Sequence, residues 1–241
     1  QELAFGAMGP LLFVLGWMFA GIGVIGQPHI MIRFMALDNV KHFQRARLYY
    51  YLWFTAFYFL ANAVGLISRL MIPETNFDAE LALPTMARDL LPSVVAGLVL
   101  AGLFAATIST ADSLILSCSA ALSRDLPPRY MHNYVLTRFS TLIVIVLALV
   151  IALFADKNVF NLVIDSWAVL GAASGPLLVV LVLGGRPPQW LAVAMVVTGP
   201  VVVYLWQAVP VSGTIYAIMP AMLAGWLVYG IGNLIKTKEE S

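Results

Sequence analysis

Apolar residues in this chain come in long blocks, not in the alternation of a half-buried strand or the narrow stripe of a soluble amphipathic helix. About 20 consecutive apolar residues suffice for a helix to cross a bilayer. Blocks of that kind fall at 11–36, 48–72, 93–123, 134–155, 158–183, 190–209 and 213–235. The pattern predicts an all-α integral membrane protein of about seven transmembrane helices. Connections are short except at 73–92, where prolines and acidic residues predict an outer loop with a short surface helix.

Two blocks carry a second pattern inside the apolar one. In the third, Ala106, Ser109, Thr110, Ser113 and Ser117 recur at helical spacing and share one face. Hydroxyls in hydrocarbon are costly unless satisfied. One way is a bond back to the carbonyl one turn earlier, a common habit of Ser and Thr in membrane helices; taken alone, the stripe favours this reading. The other is an ion. A hard cation takes oxygen ligands, and the Ser109 and Thr110 hydroxyls with the Ala106 carbonyl lie one turn apart. Freeing that carbonyl requires Ser109 or Thr110 to disturb the local backbone bonding. Three neutral oxygens also leave a shell that another helix must complete.

The first block contains Gly21, Gly23, Gly26 and Pro28. Gly21 to Gly26 fits Gly-x-Gly-x-x-Gly, but a dinucleotide site needs a strand before the motif and a helix opening after it. Here the motif sits inside an apolar span and runs into Gln27-Pro28, which predicts a broken helix. Irregular backbone at membrane depth lines cavities, and in secondary transporters it marks the binding site; close packing of a glycine-rich helix is the alternative. On the first reading Ala20, Gly23, Val24, Gln27 and Pro28 border a substrate cavity, with Trp167 as a further wall. His29 and Arg33 follow on the inner half, as gating residues or as hydrogen-bonded and snorkelling side chains.

Composition narrows the class. The chain of 241 residues is 61% apolar and 10% charged, with a mean hydropathy of +0.92; soluble domains are nearer a quarter charged. A net charge of +1 gives no reason to expect a nucleic-acid partner. Cys118, the single cysteine, excludes an internal disulfide. No nucleophile–base pair, metal-binding cluster or phosphate loop suggests an enzyme. With the N-terminus outside, inner loops hold Arg33, Lys41, Arg45, Arg47, Arg124, Arg129, Arg138, Arg186, Lys236 and Lys238, against Arg69, Arg88 and Lys157 outside. That bias predicts an N-out, C-in orientation in the cell membrane.

Asp112 and Asp165 are ionisable groups within spans and functional candidates by default. Asp112 lies off the Ser109 face; it is read as pairing with a cation such as Arg138, or as a second ion or proton site. Asp165 faces an outer vestibule or bonds to neighbouring backbone. Gly171 and Gly175 form a small-residue seam suited to close helix packing, with gating as an added possibility.

Three segments in order resemble a known family. Residues 26–36 (GQPHIMIRFMA), 90–113 (LLPSVVAGLVLAGLFAATISTADS) and 166–176 (SWAVLGAASGP) are similar to segments of the sodium/solute symporter family, which includes sodium/proline and sodium/galactose carriers. The resemblance implies a LeuT-type core of two inverted five-helix repeats. Residues 1–185 then correspond to the second repeat, with the broken helix at 11–36 and the sodium-site helix at 93–123, and 186–241 to two peripheral helices. The first repeat would lie in a missing N-terminal half, as the opening at Gln1 close upstream of an apolar run also suggests. By analogy Na⁺ is held by the Ala106 carbonyl, Ser109 and Thr110 together with carbonyls of the first repeat's broken helix. The partners implied are that half, a small organic solute and the lipid bilayer. Proline carriers of the family place aromatic residues just before Gly-Gln-Pro, whereas Ala20, Val24 and Ile25 stand here, so the expected solute is not proline. Two other classes stay open: a symporter-like input module of a membrane sensor, and a structural membrane subunit.

Overall fold

A computed structural model describes residues 8–72, 77–125, 134–154 and 158–239. Seven helical stretches in it are long and apolar enough to span a membrane. The first is interrupted as the glycines and proline dictate. Helix α1 (Gly9–Ile22) gives way to a tight 3-10 turn at Gly23–Gly26; Gln27 is extended, with φ −98° and ψ 103°, and α2 (Pro28–Met35) restarts on the proline. Proline suits a first helical position, where its missing N–H would have no partner anyway. Then follow α3 (Phe43–Met71), the short α4 (Ala82–Leu90) predicted for the outer loop, α5 (Ser93–Ala120), α6 (Tyr134–Phe154), α7 (Val159–Val182), α8 (Gln189–Gln207) and α9 (Ile218–Glu239). Arg129, Lys157 and residues 73–76 of the outer loop lie outside the described residues.

The chain forms two compact units, one of residues up to Met35 together with those from Val150 onward, the other Ala36–Leu149. The expected boundary at 185/186 falls inside the first of these units. The turn there is real: Gly184 adopts φ +86°, and the N–H groups of Gly184 and Gly185 close onto the carbonyls of Leu181 and Val180. Beyond it, however, α8 and α9 return to pack on α7.

Small residues make that return possible. Ala168 and Ala172 of α7, Val203 of α8 and Ile218, Ala221 and Met222 of α9 are buried together. Pro176, inside α7, has no N–H for the Ala172 carbonyl one turn earlier. Gly199 of α8 sits against that carbonyl so closely that an added Cβ would lie 2.2 Å from the oxygen and 2.4 Å from the carbonyl carbon. Gly225 of α9 meets Pro176 in the same way, with its would-be Cβ 2.9 Å from the ring, and the Trp226 indole donates to the Pro176 carbonyl at 3.3 Å.

In the second unit, α3 buries none of its spanning window and α5 only 6%, against 33% for α7. The helices of this unit therefore present their surfaces to lipid or to other protein. A polar contact joins the end of α5 to α6: Ser119 Oγ and Thr141 Oγ1 lie 2.6 Å apart, and Ser123 donates to the Ser119 carbonyl at 2.7 Å.

Gly199→Ala is expected to cost about 1–3 kcal/mol through overpacking against a backbone that cannot turn aside. Gly230→Ala, where an added Cβ meets nothing within 4 Å, serves as the neutral control. Thermal survival of the detergent-solubilised protein, read by size-exclusion elution, checks the difference; equal survival contradicts the packing account.

Candidate functional site

Helix α5 carries the hydroxyl face. It runs unbroken from Ser93 to Ala120, with Ala106, Ser109 and Thr110 all exposed within the chain. Back-bonding explains most of the stripe. Thr107 donates to the Leu103 carbonyl at 2.9 Å, Thr110 to Ala106 at 3.1 Å, Ser113 to Ser109 at 2.9 Å and Ser117 to Ser113 at 2.9 Å. The helix is regular there, and the Thr110 hydroxyl closes on the Ala106 carbonyl.

The same bonds leave oxygens available. A hydroxyl has one proton and two lone pairs, so Thr110, having given its proton to the backbone, still offers acceptor capacity. Among the described residues the Ser109 hydroxyl has no protein partner. Two hydroxyl oxygens on an exposed helix face fit a hard cation as part of a shell, and the Ala106 carbonyl joins them only if it accepts a further partner.

Asp112 is exposed and off this face. It does not pair with Arg138. Arg138 lies over the Tyr134 ring at 4.6 Å, at the level where Ser119 meets Thr137 and Thr141, and Asp112 is seven residues, about 10 Å, up α5 from Ser119. Arg88 and Asp89 pair with each other at 2.9 Å.

In the other unit, the break packs on α7. Gly23, Gly26 and Gln27 are buried, Ala20 and Val24 half-buried and Pro28 exposed. The Trp167 indole donates to the Ala20 carbonyl at 3.1 Å, and the Gln27 amide to the Trp167 carbonyl at 3.3 Å. Gly23, Gln27 and Trp167 meet in a seam, where glycines at 23, 26 and 171 bring two backbones into contact: a Cβ at Gly171 would lie 3.1 Å from Gly23 Cα. Gly175 faces Met222 of α9, 3.0 Å from its would-be Cβ. Ser174, unremarked as a site residue in the sequence, donates toward the Gly26 carbonyl; a serine one turn after Leu170 on a glycine-rich helix was the available signal.

Asp165 is exposed at a cavity of about 520 Å³ that also involves Ser166, Tyr204 and Gln207 of α7 and α8. Nearby, the Tyr216 hydroxyl donates to the Ile164 carbonyl and its ring stacks on Trp17 at 5.0 Å. Burial first, and then the Asp165 carboxylate, push the Tyr216 phenol from 10.0 up to about 12. The fold favours the neutral phenol, so this stabilisation is intact below about pH 10 and is lost as pH rises through about 12. Asp165→Asn is expected to move the Tyr216 phenolate transition down in a spectrophotometric titration, with Tyr216→Phe identifying that transition by its disappearance; an unmoved transition contradicts the assignment.

Among the described residues, seven helices long and apolar enough to span, one of them broken at Gly-Gln-Pro, define a multi-pass membrane protein. Residues 6–199 match the Sodium:solute symporter family, and the chain belongs to that family. It is 29% identical to a sodium/proline symporter of Escherichia coli (strain K12) over 229 residues, covering 89% of this chain and 45% of the relative. It is 30% identical to a sodium/proline symporter of Staphylococcus aureus (strain USA300) over 237 residues, covering 90% and 46%. To the osmoregulated proline transporter of Bacillus subtilis (strain 168) it is 26% identical over 234 residues, covering 90% and 48%. The chain spans a little less than half the length of these relatives. No solved structure matches it.

Proposed function

We propose that this chain supplies the second-repeat side of a sodium-coupled carrier that imports a small organic solute by alternating access. On this reading residues 1–185 are the repeat and 186–241 peripheral helices. The supporting observation is the pair of hydroxyl oxygens at Ser109 and Thr110, exposed on α5 with lone pairs to offer. The remaining ligands to Na⁺ come from a segment outside this chain, which matches its coverage of under half of each relative. Sodium bound between α5 and that segment holds the solute-accepting state together. Release of sodium on the inner side, where its concentration is low, loosens the contact and lets the core open inward. Sodium and solute raise each other's affinity by the same factor, as linkage requires. Transporter names among the relatives do not favour the sensor or structural-subunit readings.

Two lines bear on the solute. The relatives are named for proline; the break here is aliphatic at Ala20, Val24 and Ile25. Proline is the first probe, and competition by other small zwitterions against sodium-driven uptake of labelled L-proline ranks the alternatives.

Ser109→Ala and Thr110→Ala, each in the intact carrier, are expected to raise the sodium concentration for half-maximal uptake by about tenfold to a hundredfold, the cost of one polar contact to a charge, with membrane insertion unchanged. An unchanged sodium dependence in both variants contradicts the proposal.

A further inference from the structure

We propose that α7 acts as a splint across the helix break, so that α1, the Gly23–Gly26 turn and α7 move as one body and the break is a fixed shape, not a hinge. The consequence for transport rests on the carrier reading above; the geometry does not.

A break in a membrane helix strands backbone carbonyls, and here α7 supplies donors on both sides of it. On the α1 side, Ala20 O accepts from Trp167 Nε1 at 3.1 Å. On the far side, Gly26 O is reached by Ser174 Oγ at 3.0 Å, a proton shared with the Leu170 carbonyl at 2.8 Å. Gln27, buried at 2% exposure, returns a bond to Trp167 O at 3.3 Å. Trp167 and Ser174 are seven residues apart, two turns or about 10 Å along α7. One bond would permit a pivot; two anchors that far apart oppose rotation.

Between the anchors the backbones touch without side chains. A Cβ at Gly26 would lie 2.8 Å from Gly171 Cα and 2.9 Å from the Leu170 carbonyl oxygen, and one at Gly23 would lie 2.4 Å from Ile218 Cδ1 of α9. Close-packed contacts of this kind have no slack for continuous sliding. By contrast α2, beyond Pro28, buries none of its residues and lies outside the clamp. Trp167 and Ser174 are positioning residues on this account: they act on solute through the shape of the break.

The test is a distance measurement on the intact carrier in a Cys118→Ser background. Nitroxides are placed at Val14→Cys of α1, 54% exposed, and Leu181→Cys of α7, 47% exposed, and double electron–electron resonance is recorded in sodium chloride and in potassium chloride. The expected result is one narrow distance, the same in both salts. Trp167→Phe with Ser174→Ala, which keeps the aromatic ring but removes both donors, is expected to broaden or split it in protein that still elutes as folded. A sodium-dependent shift of about one helical turn, ~5 Å, in the parent overturns the proposal, and so does an unaltered distribution in the double variant. If the double variant does not fold, the salt comparison in the parent still decides. A carrier indifferent to sodium fails the uptake test above and leaves the variant comparison readable, so the two readings fail separately.

Discussion

Backbone that leaves the helix inside hydrocarbon must find partners for its carbonyls, because no water is there to take them. Much of the unit built around α7 follows from that constraint. The break at Gly23–Gly26 is tolerated where the Trp167 indole and the Ser174 hydroxyl reach it. They reach it only because glycines at 23, 26 and 171 let two backbones come into contact. A comparable close approach recurs one layer further on, where Pro176 leaves the Ala172 carbonyl without its helical donor and Gly199 lets α8 pack against it. Packing without a hydrophobic driving force depends on such small-residue contacts and interhelical hydrogen bonds.

The unit containing α5 is built the other way. Its spanning helices bury almost nothing within the chain, and the Thr110, Ser113 and Ser117 hydroxyls spend their protons on their own helix. Back-bonding and ion binding had been rival readings of the stripe; they are compatible, because a hydroxyl that has donated to a carbonyl turns its lone pairs outward. Ser109 and Thr110 therefore differ in readiness. Thr110 is oriented by its bond to Ala106, while Ser109 has no partner among the described residues and is free to rotate toward a cation.

Long-range order was partly legible in the sequence. Seven apolar blocks became seven spans, the Gly-x-Gly-x-x-Gly-Gln-Pro run became an interrupted helix, and prolines and acids marked the loop that holds α4. What the sequence could not give was partnership. Gly23 and Gln27 read first as cavity wall and second as packing seam, since a glycine's value depends on what approaches it, and here α7 and Ile218 do. Asp112 and Arg138 looked like a pair because both were charges near spans, but their separation along α5 and α6 is set by the register that Ser119 and Thr141 fix. Packing across 185/186 was not legible either, because small residues on α8 and α9 are signals of packing only once their partner carbonyls are known. The proposed site was legible as residue types at a spacing; the proposal takes its remaining ligands from outside this chain.

Equilibrium binding of radioactive sodium to the purified intact carrier, in detergent and without any solute, tests the central claim most directly. The account predicts saturable binding that is lost when Ser109 and Thr110 are both replaced by alanine in protein that remains folded. Saturable binding of unchanged affinity in that double variant would contradict it.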